Sequence, residues 1–290
     1  MKNLIFKKIT LGTANFAMDY GISNNYKKLS TKEIKKIISH CEKINILRLD
    51  TAEGYNNCHQ IIGDSIKKKW KITTKIPLIK SNNSYTIKKN IFELIDKILK
   101  DLKIKDIENL MLHDENQLLK SNGKKIFKVL RQLKKEKIIK NIGVSFYNKK
   151  KLNKTIKKFK IDAVQLPINY INREFLERDL LHMLKKKKIK IQARSIFHQG
   201  ILLNKNIKFK KKRFNEHLKY IHNWHKLRNL NYLQTALGFF SKKPFISNLI
   251  IGVDSLKQLN QIINFKLKKI NEFPINVDKT FLDLRQITKN

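Results

Sequence analysis

Cysteine is almost absent from the chain, and so are the sequence signals of metal sites, membrane spans and secretion. Cys41 and Cys58 are the only cysteines, too few for the disulfide framework of a small secreted domain. Cys58 precedes His59, but no convergent set of ligands is visible around them, so we expect no bound metal. No apolar run is long enough to cross a membrane, and no apolar segment with a small-residue cleavage site opens the sequence. The expectation is a soluble cytoplasmic protein.

Acidic residues are scarce beside basic ones. Lys and Arg total 64 against 23 Asp and Glu, which gives a formal net charge of +41. Such an excess is typical of proteins that release counterions from nucleic-acid phosphates. Here, however, lysines are spread over nearly every predicted helix, and Lys, Ile and Asn are abundant together, which indicates a genome rich in A and T. We therefore expect no specific nucleic-acid partner, although the positive field can attract phosphorylated substrates and cofactors.

Linkers and internal repeats are also missing. No Gly/Ser-rich or Pro-rich stretch divides the 290 residues, and 41% of them are hydrophobic, enough for a substantial core. A chain of this length fits one large α/β unit. We expect residues 1–290 to form a single domain.

A short buried strand that ends in an acid is the strongest local feature. Residues 46–49 are too apolar for a strand with one exposed face, and Asp50 falls at its end. Tyr55 lies in the loop before a helix predicted over residues 58–69. Strand ends are where α/β proteins place their chemistry, although Asp50 could equally cap the helix or hold the loop.

Strand and helix patterns alternate along the whole chain. Such βα units predict a parallel sheet, and eight of them closing on themselves make a (β/α)8 TIM barrel. An open doubly wound sheet is disfavoured because LGTANF lacks the G-x-G-x-x-G pattern after the first strand. The first strand is predicted over residues 4–11. The eight predicted strands are marked by Leu4, Ile46, Lys71, Ile107, Asn141, Ala163, Ile189 and Asn248.

Three helix predictions add detail to this scheme. Ser30 and Glu33 have the spacing of a capping box at the start of a helix. A helix is expected around residues 173–186, and the last crossover, residues 198–247, is long. Phe281 and Leu284 indicate a C-terminal helical extension that covers one edge of the barrel.

Several sequence blocks occur in the order that a known family shows. The pattern D-T-A-x-x-Y-x-x-x-x-x-I-I-G over residues 50–63 is joined by LGTAN, TK, LH, IGVS, QLPIN, ARS and IIGV. Together they resemble the aldo-keto reductases over roughly residues 4–265. The resemblance implies a TIM barrel that transfers hydride between a nicotinamide cofactor and a carbonyl or alcohol substrate.

The resemblance implies a catalytic tetrad of Asp50, Tyr55, Lys75 and His113, with Tyr55 as general acid or base. In a parallel barrel these strand ends converge. A phenol normally loses its proton near pH 10, and we expect the ammonium of Lys75 to lower that pKa. Asp50 can hold Lys75 in place, and His113 can donate a hydrogen bond to the carbonyl oxygen. If each residue is considered without the others, the simpler interpretation is that Lys75 is a surface lysine, His113 a structural histidine and Tyr55 a residue that packs in its loop.

The implied cofactor site departs from the family at two positions. Ser145 and Gln165 are expected to bind the carboxamide, but Phe146 stands where many relatives have Asn. Asn169 could contribute or only cap the following helix. Arg194 stands where many relatives have Tyr; it could stack beside the nicotinamide, bind an anionic substrate or pair with an acid. The predicted cofactor-binding residues are Gly12, Thr13, Asp50, Ser145, Gln165, Arg194, Ser195, Gly252, Lys257 and Gln258.

The cofactor and the substrate follow only from the resemblance. NADP is expected over NAD because it is usual in the family and the chain is basic, although Gln258 replaces a basic residue and only Lys257 is adjacent. The substrate is a small carbonyl compound, and the LGTANF and RS-x-F-x-Q-G blocks point to a sugar-like one. The alternative is a cofactor-binding or regulatory protein that turns over little.

Overall fold

Eight parallel strands form a closed barrel in which each strand pairs with its neighbours in chain order and β1 pairs with β8. The computed structural model describes residues 5–22, 28–267, 273–274, 276–285 and 287. The predicted TIM barrel is confirmed. The strands are β1 (Ile9–Gly12), β2 (Arg48–Asp50), β3 (Lys71–Ile76), β4 (Ile107–Leu112), β5 (Ile139–Ser145), β6 (Ala163–Pro167), β7 (Lys190–Arg194) and β8 (Ile246–Gly252).

Helices connect the strands and cover the outside of the barrel, burying their apolar faces against it. The α-helices are Ala14–Ala17, Thr31–Lys43, Cys58–Gly63, Ser84–Leu102, Gly123–Lys135, Lys149–Lys158, Arg178–Lys186, Lys212–Leu227, Tyr232–Gly238, Leu256–Ile263 and Lys279–Leu282. Short 3₁₀ turns occupy Gln117–Leu119, Glu174–Leu176 and Phe239–Lys242. Within the described part of the chain, no helix combines the length and the apolar character needed to span a membrane.

The first strand is shorter than predicted. Leu4 lies outside the described residues, and the backbone N–H of Lys8 donates to Ile5 O, which makes a turn where a strand was expected. The Lys8 ammonium also donates to the carbonyls of Lys243 and Pro244. These contacts fix the residues before Ile9 in a turn, so that β1 begins only at Ile9.

Two helices also differ from their predicted bounds. The helix predicted over residues 58–69 ends at Gly63, because the carboxylate of Glu42 accepts hydrogen bonds from the backbone N–H groups of Lys67 and Lys68 and pulls the chain out of the helix. The helix expected from residue 173 begins at Arg178, after a 3₁₀ turn and an extended Glu177.

The capping box at residue 30 forms only in part. Ser30 Oγ accepts from the backbone N–H of Glu33 at 3.2 Å, as predicted. The Glu33 carboxylate, however, accepts from the backbone N–H of Leu256 at 3.1 Å, at the start of the helix that follows β8. Glu33 therefore joins two helices that flank β1, one before β2 and one after β8.

The C-terminal segment packs against the loop that follows β7. Phe281 is fully buried, and its carbonyl accepts a 2.8 Å hydrogen bond from Nε2 of His198. The rings of Phe209 and Phe214 meet Phe281 edge-on. The predicted extension therefore lies on the side of the barrel where the strands end, although its described helix is a single turn.

Candidate active site

The four predicted catalytic residues are brought together at the C-terminal ends of the strands. Asp50 is the last residue of β2, and Lys75 is the last but one of β3. His113 follows β4, and its backbone N–H donates to Ile76 O at 3.1 Å. Tyr55 sits in the loop after β2, held by a tight turn in which its N–H donates to Ala52 O. Parallel strands place all these ends on one rim of the barrel, which we call the mouth.

A buried ion pair lies at the base of the mouth. Lys75 Nζ is 2.5 Å from Asp50 Oδ1 and 2.9 Å from the carbonyl oxygen of Thr51. Lys75 is only 2% exposed and Asp50 only 4%. The second carboxylate oxygen of Asp50 accepts a 2.7 Å hydrogen bond from Gln165 Nε2. Buried charges are tolerated when their partners are this complete, so the pair is held rigidly.

Tyr55 stands above this pair. The Lys75 ammonium lies 5.6 Å from the centre of the Tyr55 ring, and the His113 ring meets Tyr55 edge-on with centroids 6.4 Å apart. Burial raises the pKa of the Tyr55 phenol, and the charge of Asp50 raises it further. The expected lowering of this pKa was wrong, because burial and the charge of Asp50 together raise it. Tyr55 keeps its proton at neutral pH.

His113 lies at the rim of the mouth and is partly open to solvent. Loss of surrounding water in the concave mouth, helped by the positive charges of Lys75 and Arg194, lowers the pKa of His113 to about 4. The ring is therefore neutral at pH 7, with one nitrogen able to donate a hydrogen bond.

A cavity of about 1260 Å³ runs from Asp50 and Tyr55 to the helix Leu256–Ile263. Its volume exceeds the usual size of a site for one small molecule and leaves room for a dinucleotide. Ser145 is buried and Lys257 is exposed, and neither lines this cavity. The predicted cofactor-binding residues that do line it are Gly12, Thr13, Asp50, Gln165, Arg194, Ser195, Gly252 and Gln258.

Arg194 reaches from the end of β7 to the backbone beyond β5. Its guanidinium donates to Phe146 O at 3.1 Å and to Ser195 Oγ at 3.4 Å. It also lies over the ring of Tyr147, with Cζ 3.9 Å from the ring centre. Phe146 itself is fully buried. The residue that replaces the usual Asn therefore offers its carbonyl to Arg194, while its side chain packs in the core.

Asn169 has a structural role. Its Oδ1 accepts from the backbone N–H groups of Ile171 and Asn172, and its Nδ2 donates to Ser195 O. It thus holds the turn after β6 and ties that turn to the loop after β7, whereas the helix that it was considered to cap begins only at Arg178.

The far end of the cavity is held by amide side chains. Asn15 Nδ2 donates to Asp254 Oδ1 at 2.8 Å and to Val253 O at 2.6 Å. Gln258 Oε1 accepts from the backbone N–H of Asp254 at 2.9 Å. Two basic residues on the cavity wall, Lys205 and Lys266, were not predicted; nothing in their sequence context separates them from the many surface lysines.

Two tyrosines at the mouth were not among the predicted site residues. Tyr20 lines the cavity, and its hydroxyl accepts from Gln199 Nε2 at 3.4 Å. Tyr147 supports Arg194 as described above. The only sequence signal for Tyr20 was its place in a long loop after β1, and Tyr147 had none beyond following Phe146.

The cysteine beside His59 is enclosed by polar groups of the first two strand ends. Cys58 Sγ lies 3.5 Å from Thr13 O and 3.4 Å from Thr13 Oγ1, while His59 Nε2 lies 3.0 Å from Thr74 Oγ1. Over the described ranges, no three His, Cys, Asp or Glu side chains come together as metal ligands.

Solved structures of other proteins share this fold. The aldo-keto reductase AKR11C1 from Bacillus halodurans, in its holo form, shares 15% identity with a TM-score of 0.71, covering 90% of this chain and 88% of that one. The glycerol dehydrogenase AKR11B4 from Gluconobacter oxydans shares 16% identity with a TM-score of 0.69, over the same fractions of 90% and 88%. At such identities the likeness shows the fold alone. No curated protein matches the chain.

The sequence profile of the aldo/keto reductase family matches residues 8–274, nearly the whole chain. Members of this family are oxidoreductases that use a nicotinamide cofactor on small carbonyl compounds. With the barrel closed and the Asp50–Lys75 pair set beneath Tyr55 and His113, the chain belongs to the aldo/keto reductase family.

Proposed function

We propose that this protein reduces a small carbonyl compound with NADPH, using Tyr55 as general acid. The observation that carries the proposal is the buried Asp50–Lys75 pair with Tyr55 directly above it and His113 at its side. A phenol, an imidazole and a balanced ion pair at one strand-end rim suit proton transfer to an oxygen that gains negative charge.

Each residue has a distinct task. A neutral His113 donates a hydrogen bond to the substrate oxygen and stabilises its developing charge. Tyr55, whose raised pKa keeps it protonated, then delivers the proton to that oxygen. Lys75 and Asp50 position Tyr55 from below, and Gln165 holds Asp50. When bound, the nicotinamide supplies the hydride.

The cavity fits a dinucleotide with its nicotinamide near Tyr55. Arg194 and Gln165 line the end near Tyr55, and Gly252 and Gln258 line the far end. NADPH is the proposed form because Lys205 and Lys266 put positive charge on the cavity wall and Asp254 is already bound by Asn15. Both cysteines are free thiols, and with the use of NADPH this supports a cytoplasmic location.

A sugar-like carbonyl is the proposed substrate type. Tyr20 and Gln199 bring a hydroxyl and an amide to the cavity beside Tyr55, and such groups can bind the hydroxyls of a polyhydroxy compound. A panel of sugar aldehydes and simple aldehydes, assayed with NADPH and with NADH, would rank the substrates and the cofactors.

Replacing Tyr55 by Phe tests the reaction. The variant keeps the ring contacts but has no transferable proton, so kcat for 4-nitrobenzaldehyde with NADPH should fall by about 10²- to 10⁴-fold. Binding of NADPH, followed by quenching of protein fluorescence, should stay within about threefold of the parent, since the hydroxyl is not needed for cofactor affinity. Equal kcat values for parent and variant would remove Tyr55 from the mechanism.

A cofactor-binding protein with little turnover is the second candidate. It is favoured by Ser145 lying off the cavity wall and by the bond from Arg194 to Phe146 O, which engages the backbone where relatives offer an Asn side chain. Tight NADPH binding with no turnover of any reactive aldehyde would support this candidate and contradict the first.

A further inference from the structure

Two guanidinium groups lie over one tyrosine ring at the mouth. Arg194 Cζ is 3.9 Å and Arg285 Cζ is 4.2 Å from the centre of the Tyr147 ring. Each arginine gains a cation–π contact, but two like charges on one ring repel each other unless an anion balances them.

Within the part of the chain that the structure describes, only one of these two charges is paired with a carboxylate. Arg285 pairs with Asp283, with Nη2 2.7 Å from Oδ2, and with Glu115, with Nη1 3.7 Å from Oε1. Arg194 donates to Phe146 O and Ser195 Oγ, both neutral acceptors. No carboxylate of residues 5–22, 28–267, 273–274, 276–285 or 287 forms an ion pair with Arg194.

The four residues of the tetrad add no net negative charge to offset Arg194. Asp50 and Lys75 cancel each other. The lowered pKa of His113 and the raised pKa of Tyr55 keep both side chains neutral at pH 7. The charge of Arg194 acts on Tyr55, His113 and Tyr20 alike, so it lies close to all three.

The guanidinium also retains donors for a ligand. Arginine has five N–H groups in a planar fork and stays charged at any working pH. The contacts to Phe146 and Ser195 use one N–H on each of the two terminal nitrogens. Tyr147 and these two acceptors fix the plane of the guanidinium, so little side-chain freedom would be lost on binding an oxyanion.

We propose that Arg194 is a substrate-binding residue that selects carbonyl compounds bearing a carboxylate or phosphate group. This inference rests on the proposed reductase function and names its substrate class. The anionic group would meet the guanidinium while the carbonyl lies against Tyr55 and His113. The strongly positive surface would raise the local concentration of such compounds.

Matched pairs of substrates test the proposal. 4-Carboxybenzaldehyde and 4-nitrobenzaldehyde have the same shape but differ by one charge, and glyceraldehyde 3-phosphate and glyceraldehyde provide the phosphate arm. For each pair the quantity measured is the ratio of kcat/KM, anionic over neutral, in the parent, in Arg194→Met and in Arg285→Met. Effects on the cofactor or the tetrad cancel in this ratio.

The parent should favour the anionic member of at least one pair by about tenfold or more, the value of a charge-assisted hydrogen bond. Arg194→Met should bring that ratio close to one, whereas Arg285→Met, which removes the same group from the same ring, should leave it as in the parent. A parent ratio near one for both pairs, or an unchanged ratio in Arg194→Met, would overturn the proposal.

The cofactor phosphates are the other source of an anion. If Arg194→Met weakens NADPH binding by about tenfold or more without changing the substrate ratios, Arg194 serves the cofactor and the proposal is wrong. If the parent turns over no carbonyl, the proposed function fails separately. Calorimetric binding of the same pairs to parent and Arg194→Met then decides the inference, and equal affinities would refute it.

Discussion

At the scale of single residues, burial decides which ionisable side chains keep their ordinary charge. The positions of Asp50, Tyr55, Lys75 and His113 could be predicted because strand ends converge in a parallel barrel. The pKa of Tyr55 could not, since it depends on whether the Lys75 charge is already balanced. The 2.5 Å contact to Asp50 and the 2.7 Å contact from Gln165 to Asp50 are set by side chains far apart in sequence.

His198 shows the same effect away from the tetrad. Its Nε2 donates to Phe281 O, and its Nδ1 lies 3.5 Å from Asn169 Nδ2 as an acceptor. The neutral ring satisfies both contacts, and burial lowers the pKa of His198 to about 4 from an ordinary 6.5. As pH falls below 6.5 the unfolded chain takes up a proton that the folded chain refuses.

The stability contributed by neutral His198 is therefore complete above pH 6.5 and is lost as pH falls towards 4. Going from about pH 7.5 to about pH 5, this residue should lower the free energy of unfolding by about 2 kcal/mol. His198→Asn should show a pH-dependent fall that is smaller by that amount in urea titrations. The free energy of unfolding of the variant at the higher pH serves as its own reference, which accounts for any packing lost by the substitution. If this free energy falls by the same amount in both proteins, His198 is not the source of the pH dependence.

At the scale of elements, the strand-to-helix rhythm was predictable and the element ends were less so. β1 and the helix after Tyr55 are shorter than expected because of Lys8 and Glu42, whose polar side chains bind distant backbone groups. Periodicity reports which face of an element is buried. It does not report a carboxylate that arrives from another helix.

Gly63 shows how one element depends on another. A Cβ at this position would lie 2.1 Å from the carbonyl oxygen of Asp101 and 2.9 Å from the carbonyl carbon of Leu102. The helix Cys58–Gly63 therefore packs directly on the backbone at the end of the helix Ser84–Leu102. The glycine of the D-T-A-x-x-Y signature is explained by this close approach.

Gly63→Ala should destabilise the protein by about 2 kcal/mol, because backbone must move to admit the methyl group. Gly54→Ala is the matched control in the same stretch, since no atom lies within 4 Å of its Cβ position; its effect should stay within about 0.5 kcal/mol. Both can be measured by urea unfolding. Similar losses for the two variants would show that the contact at Gly63 is not what matters.

At the scale of the whole molecule, closure of the barrel could be predicted, but the cluster of side chains around Tyr147 could not. Eight parallel strands that each pair with the next strand along the chain form a closed barrel. Tyr147, Arg285 and Glu115 meet because three separate parts of the chain converge beside β5. No local pattern marks any of them.

The net charge of +41 also acts on the molecule as a whole. Its self-repulsion is screened by salt, whose Debye length shortens to about 10 Å at 0.1 M. Raising NaCl from about 20 mM to about 300 mM should therefore raise Tm by about 3 °C or more, as read by differential scanning calorimetry.

A variant with reduced charge serves as the comparison. Lys32, Lys128, Lys154 and Lys186 are all exposed, and changing them together to glutamate should raise Tm in low salt and diminish its response to NaCl. A Tm that stays level or falls with added salt in the parent would mean that repulsion does not limit its stability.

The hydrogen bonds that close the barrel are made by backbone groups, whereas the cavity is lined by side chains at the strand ends. Phe146 lies just beyond β5 and Arg194 is the final residue of β7, so either could be exchanged during evolution with no loss of pairing along the wall. The barrel can therefore be conserved during evolution while the substrate preference changes. In this way, proteins with one fold can come to act on many different metabolites.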